Sequence, residues 1–224
     1  MPDQVLLSWS GGKDAAWTLH VLRQSQVEVV GLVTTVTTGY DRISMQGIRR
    51  TILHAQAAAA GLAVIEVEIP PACDNARYEE AFASGLRHAH ERWPGVRELA
   101  FGDLFLQDIR DYRESMCARL GWRVHTPLFG SDTRAMARAM QAGGLEATLC
   151  CVDTRQLTAD FAGRDFDASL LRDLPKGVDP CGENGEFHTC VHAGPMFANR
   201  IPIQRGDTVL RDARFAYTDF ELHL

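Results

Sequence analysis

From its start to about residue 156, this chain alternates short apolar runs with longer amphipathic ones. Val5-Leu6-Leu7 and residues 27–36, 62–69, 98–101, 122–125 and 145–152 have the length and apolar content of buried strands. Residues 15–22, 46–61, 75–92, 108–120 and 133–142 read as helices, with Gly61 in the C-cap position of the second. Strands alternating with helices across short connections specify an α/β fold: a parallel twisted sheet with helices on both faces. In such sheets ligands sit beyond the carboxyl ends of the strands. The rhythm stops after residue 156. Residues 157–174 are mixed and charged and read as one irregular helical stretch, followed by a Pro-, Gly- and Asp-containing loop at 175–180. Residues 196–204, 208–213 and 215–222 read as antiparallel strands. The expected division is therefore 1–156 for the α/β domain and 157–224 for a smaller C-terminal α+β domain.

The first strand–helix connection is Ser8-Trp9-Ser10-Gly11-Gly12-Lys13-Asp14. Gly11 and Gly12 can take positive φ and place no Cβ between backbone N–H groups and an anion. The helix N-terminus that follows adds unpaired donors and partial positive charge, and Lys13 adds a full one. The bland reading is an ordinary β–α connection with Asp14 as N-cap; the functional one is a phosphate cradle. Two familiar cradles fail on spacing, because neither G-x-x-x-x-G-K-[ST] nor G-x-G-x-x-G follows a strand here.

A second dense cluster is Cys181-Gly182-Glu183-Asn184-Gly185-Glu186-Phe187-His188-Thr189. If the chain is extended from Gly185, Glu186 and His188 share a face while Phe187 points inward. Carboxylates beside an imidazole suit proton transfer, Mg²⁺ coordination or recognition of an amine, and the competing reading is a polar hairpin turn. A net charge of −6 argues against a nucleic-acid partner. No apolar run reaches the roughly 18 residues of a membrane span, and the first residues carry no basic cluster, so a cytoplasmic location without membrane contact is expected. The six cysteines form no C-x-x-C pair or zinc spacing and are expected to be buried free thiols.

The S-G-G-K-D pattern after the first strand resembles the PP-loop of the N-type ATP pyrophosphatases, with Ala15 where the signature usually has Ser. Combined with Gly182-Glu183-Asn184-Gly185-Glu186-Phe187-His188-Thr189 and Gly194-Pro195-Met196-Phe197, it resembles the diphthine–ammonia ligase family. The intermediate strings Met45-Gln46-Gly47-Ile48-Arg49-Arg50, Gly102-Asp103-Leu104 and Pro127-Leu128-Phe129 agree, so the resemblance spans almost the whole chain. The family's usual second motif reads G-E-G-G-E-[FY]-E-T. Asn184 and His188 depart from it in the manner of a bacterial branch.

This resemblance implies a PP-loop domain of the HUP type with an added C-terminal domain. It also implies ATP and Mg²⁺, with ammonia and a carboxylate-bearing small molecule or protein as acceptor. In the family reaction the carboxylate attacks the α-phosphorus, pyrophosphate leaves, and ammonia displaces AMP to form an amide. Carried onto this sequence, Ser10, Gly11, Gly12 and Lys13 hold phosphates, and Thr34 lies by the adenine. Asp14 and Asp103 would ligate the metal, unless Asp14 is a helix cap and Asp103 a turn residue. Arg49 and Arg110 bind phosphate or the acceptor, or serve as ion-pair partners. Glu183, Glu186 and His188 serve the acceptor and the ammonia. A homodimer is compatible with the chain. The alternatives are a non-catalytic adenine-nucleotide-binding module and a PP-loop RNA-modifying enzyme.

Overall fold

A computed structural model describes residues 3–223. Its first sheet begins with β1 (Gln4–Ser8), then α1 (Lys13–Gln24), β2 (Glu28–Thr37), the short β3 (Arg42–Ile43) and α2 (Arg50–Ala60). It continues through β4 (Val64–Ile69), α3 (Asn75–Arg92), β5 (Glu98–Ala100), α4 (Gln107–Arg119) and β6 (Arg123–His125). β1 lies between β2 and β5, β4 flanks β2, and β6 flanks β5, all in parallel; only β3 pairs antiparallel, at the end of β2.

Period-two alternation along β1 separates two cores. Val5 and Leu7 pack with α1 and α2, while Leu6 packs with buried residues of α3 and α4. Helices therefore cover both faces, and β1 is apolar on both because both are buried. From β1 the chain builds outward through β2 and β4, then crosses to begin again at β5 on the other side. The crevice at such a reversal is where ligands bind in open α/β sheets.

The chain then forms α5 (Thr133–Ala142), β7 (Glu146–Asp153), a 3₁₀ turn at Ala159–Phe161, α6 (Ala168–Asp173), β8 (Phe187–Ala193), β9 (Ile203–Arg211) and β10 (Phe215–Leu222). These four strands make a second, wholly antiparallel sheet in the order β8-β7-β10-β9. The strand expected at 145–152 thus belongs to the second sheet, although sequence alternation placed it in the first. The change of sheet falls between β6 and β7, so a division at 156 would cut the second sheet.

Residues 196–202 are not strand. Gly194 and Pro195 turn the chain, and Phe197 packs edge-on against Trp9, ring centroids 6.2 Å apart. Residues 157–174 also split: the 3₁₀ turn and α6 are separated by a bridge between Thr148 and Asp165. Among the described residues, no helix is long and apolar enough to cross a membrane.

Candidate functional site: three loops at the strand ends

α1 begins at Lys13 with Gly12 as its N-cap, so Asp14 lies inside the first turn and does not cap it. Gly11 takes φ +77°, whereas Gly12 is extended at φ −91°; only one of the two glycines needs the left-handed region. A Cβ on Gly11 would also meet Ile48 Cδ1 at 2.8 Å and Gln56 Oε1 at 2.9 Å. What shapes this loop is the second sheet. β8 is an edge strand, and edge N–H and C=O groups need partners. Gly11 O accepts from Val191 N at 3.0 Å, and Thr189 Oγ1 accepts from Lys13 N at 3.0 Å. The fully buried Gln56 amide accepts from Trp9 Nε1 at 3.0 Å and donates to Gly11 O at 3.0 Å and Val191 O at 2.7 Å.

Lys13 is 2% exposed. Its ammonium donates to both Asp14 carboxylate oxygens, at 3.0 and 2.7 Å, and to Cys181 O. The rings of Phe166 and Phe187 lie 5.8 and 5.6 Å from it. Burial, the largest single influence, lowers the ammonium's pKa, but Asp14 and the other acidic groups around it, Cys181 and Glu183, together more than offset this, so Lys13 stays charged. Burial pushes the Asp14 carboxyl up in turn, against the pull of Lys13.

The third loop, 179–186, is closed by its own carboxylates. Asp179 Oδ2 accepts from Cys181 N at 3.1 Å and Glu183 N at 3.0 Å. Glu186, 1% exposed, accepts from Asp179 N at 2.8 Å and from Asn184 N at 2.9 Å. The braced loop turns the Cys181 carbonyl toward Lys13 and sends Glu183 across to the loop after β5, where Glu183 Oε1 accepts from Leu104 N at 2.8 Å. That loop also touches the first. A Cβ on Gly102 would lie 2.8 Å from the Asp14 carbonyl carbon, so glycine alone permits the approach. Asp103 pairs with Arg113 at 2.7 Å. The loops following β1 and β5 and the loop preceding β8 therefore converge at the sheet's reversal point, bringing Lys13, Asp14, Asp103 and Glu183 together.

Comparison with known proteins places the chain in a family. The model of the diphthamide synthase N-terminal domain matches residues 3–124, and that of the C-terminal domain matches 132–218. The chain belongs to the diphthamide synthase family. A diphthine–ammonia ligase of Schizosaccharomyces pombe is 24% identical over 217 residues, covering 89% of this chain and 36% of the relative. One from Danio rerio is 30% identical over 141 residues, covering 60% of this chain and 55% of the relative. The chain thus spans about half the length, or less, of these curated relatives. A solved structure described as a predicted subunit of tRNA methyltransferase from Methanocaldococcus jannaschii DSM covers 89% of this chain and 100% of its own, with 16% identity and a TM-score of 0.43.

Within this diphthamide synthase fold, several residues expected at the site have other employment. Glu186 is spent inside its loop and shares no open face with His188, since both it and Phe187 are buried. Arg49 reaches neither loop: it forks onto Asp219, Nη2 to Oδ2 at 2.6 Å, and meets Glu221 at 2.6 Å, tying α2's N-cap to β10. Arg110 pairs with Glu114 at 2.8 Å one helical turn away and lies 4.6 Å over the Phe129 ring. Gly12 N and Lys13 N already donate, to Ser10 Oγ at 3.3 Å and to Thr189.

His188 on β8 is held neutral, its pKa lowered to about 4 by burial and by the Lys13 charge. Glu183 is shifted the other way: burial raises it to about 7, against the Leu104 amide that favours its charged form. Asp103 is raised by burial and by the neighbouring Asp14. All six cysteines are free, and five are buried. Burial pushes the Cys181 thiol up to about 12, and its Sγ donates to Thr133 O at 3.3 Å.

Asp179, Thr189, Gln56 and Phe166 complete the site and were absent from the sequence-based set. Thr189 closes the Gly- and Glu-rich string and Asp179 lies two residues before it, but nothing in local sequence shows that Gln56 faces inward.

Two buried acceptors next to the first loop bear on whether a nucleotide fits. Thr34 Oγ1 lies just past the strand position where Trp9 N donates to Val33 O at 2.8 Å. Neither it nor Gln46 Oε1 has a hydrogen-bond partner among the described residues. Orphaned buried polar atoms at a glycine-built strand end suit a polar ligand such as a nucleotide. The fit to Mg²⁺ is weaker. Among the described residues, no three His, Cys, Asp or Glu side chains gather as a metal group. Asp14 and Asp103 are each matched to a cation of the chain's own, Lys13 and Arg113.

Proposed function

We propose that this chain is an ATP-dependent ligase that adenylates a carboxylate, releases pyrophosphate and forms an amide with ammonia, as the names of its diphthine–ammonia ligase relatives suggest. The observation that carries the reading is a convergence: Lys13 reaches the Cys181 carbonyl in the loop of Glu183, and Glu183 reaches the Leu104 amide in the loop after β5. A phosphate-side cation and a carboxyl group titrating near neutrality meet at one strand end.

In this reading the loop around Ser10, Gly11 and Gly12 receives phosphates, and Thr34 with Gln46 faces the base or ribose. Lys13 compensates the charge of the departing pyrophosphate. The acceptor's carboxylate oxygen forms a bond to the α-phosphorus as the bond to pyrophosphate breaks. Ammonia then attacks the acyl carbon, and AMP leaves. Glu183, near its neutral-to-charged transition at physiological pH, takes the proton that the attacking nitrogen sheds. Asp14 and Asp103 would hold Mg²⁺ alongside substrate phosphates, which commonly complete the shell of that ion when only one or two carboxylates are available.

Incubating the protein with ATP, ammonium and a panel of carboxylates, and following the nucleotide products, tests this. AMP and pyrophosphate should accumulate in step with amide, and Lys13→Ala should abolish both. ADP with orthophosphate would overturn the α-phosphate chemistry. His188→Ala should change which acceptor is used, raising acceptor KM while leaving the KM for ATP near that of the parent protein.

A further inference from the structure

Between α5 and α6 lies a cavity of about 360 Å³ whose lining includes Arg134, Arg138, Gln141, Leu171, Arg172 and Pro180. Arg134, Arg138 and Gln141 fall on one face of α5, and Arg172 approaches from α6. The lining contains no carboxylate. Other arginines of the same half do meet acids: Arg164 meets Asp173, Arg200 meets Glu146, and Arg214 meets Asp153. Acidic residues outnumber basic ones in this chain, 29 to 23, so anionic partners are not scarce.

Arg134 and Arg138 repel each other one helical turn apart, and Arg172 adds a third like charge, a configuration that favours an anion from outside. The N-terminal turn of α5, where Arg134 sits, is capped by the Asp132 carboxylate, which accepts from Ala135 N at 2.7 Å. The pocket floor is organised: Gln141 donates to Phe166 O at 3.4 Å, and Phe166 packs beside Lys13. Pro180 forms part of the wall directly before Cys181.

We propose that this cavity is a binding site for a phosphorylated small molecule, its phosphoryl group held by Arg134, Arg138 and Arg172. Guanidinium forks match phosphate oxygens two at a time, and three around one volume suit a dianion. The cavity's size is that of a small-molecule site, and apolar walls at Leu171 and Pro180 offer a surface for the remainder of the ligand. The chain's net charge of −6 disfavours a polymer of phosphates spread over its surface. The site is separate from the loop around Gly11 and does not depend on the ligase reading.

The test is titration of the full chain with inorganic phosphate, observed through the arginine side-chain Nε–Hε resonances and through thermal melting. Phosphate should shift the signals of Arg134, Arg138 and Arg172 saturably. It should also raise the melting temperature of the parent protein and of Lys13→Ala alike, which separates this cavity from the first loop. Arg134→Gln combined with Arg138→Gln should weaken phosphate binding at least tenfold, and Arg172→Gln, on the other helix, serves if the double variant misfolds. Unshifted arginine signals, or variants that bind phosphate as the parent does, would overturn the proposal. So would a single-stranded oligonucleotide that binds these arginines at least tenfold more tightly than phosphate or pyrophosphate, which would mark the surface as a nucleic-acid contact.

Discussion

Glu183 and His188 border the same buried segment, and burial shifts them in opposite directions, to about 7 and about 4. The consequences for stability are opposite too. An unfolded chain releases the Glu183 proton near the ordinary value of 4.5, whereas the folded chain keeps it to about 7; this contribution is complete below 4.5 and is lost as pH rises to 7. An unfolded chain protonates His188 below 6.5, whereas the folded chain resists to about 4; that contribution is complete above 6.5 and is lost as pH falls. Between 4.5 and 6.5 the two slopes cancel in the parent protein. Glu183→Gln should therefore expose a stability that rises with pH across this window, and His188→Asn one that falls, each by about 2 kcal/mol relative to the parent curve. Urea unfolding at a series of pH values measures both. Difference curves that are flat with pH would mean that neither group is desolvated as described.

At the scale of elements, the 179–186 loop is a clasp: the Glu186 carboxylate accepts from the Asp179 and Asn184 amides, and the Asp179 carboxylate from those of Cys181 and Glu183. Glu186→Gln leaves one acceptor where two are used, stranding an amide of Asp179 or Asn184. The expected cost is about 2 kcal/mol, with faster hydrogen exchange at those amides and at Leu104, which Glu183 then holds less firmly. Unchanged exchange at Leu104 would show that the clasp does not position Glu183.

This element also marks where sequence reasoning stops. Gly-Glu-Asn-Gly-Glu identifies a functional loop, but Glu183 and Glu186 are equivalent in local pattern. Only closure of the loop turns one outward and the other in. The helices were more legible: α3 at Asn75–Arg92 and α5 at Thr133–Ala142 fall where expected, each behind an Asp whose side chain accepts from the backbone, Asp74 from Arg77 N and Asp132 from Ala135 N. Those signals are local. β7 illustrates the contrary case, since an apolar run buried on both faces reads alike in a parallel and an antiparallel sheet, and its neighbours β8 and β10 are distant in sequence. Arg49 was open between ion pair and ligand contact because its partner Asp219 lies near the other end of the chain.

Across the whole molecule, the first loop is as much a part of the interface between the two sheets as of the site. One continuous apolar core includes Leu7 and Ile52 of the first half with Leu149, Val191 and Phe220 of the second. Gln56 crosses that junction, joining Trp9, Gly11 and Val191 through a single amide. A shared core and shared buried hydrogen bonds make the halves one cooperative unit.

All four tryptophans (Trp9, Trp17, Trp93 and Trp122) precede β7, so their fluorescence reports the first sheet and, through Trp9 against Phe197, its junction with the second, while amide exchange in β8 and β10 reports the second. Denaturant transitions by the two probes should coincide. Gln56→Leu, of similar volume, orphans the Trp9 indole N–H and the Val191 carbonyl, and should lower stability by about 3 kcal/mol by both probes together. If the tryptophan signal alone shifted, the sheets would be separate folding units. The first loop would then be built without its contact to β8, because the Gly11 carbonyl and the Lys13 amide owe their partners to that strand.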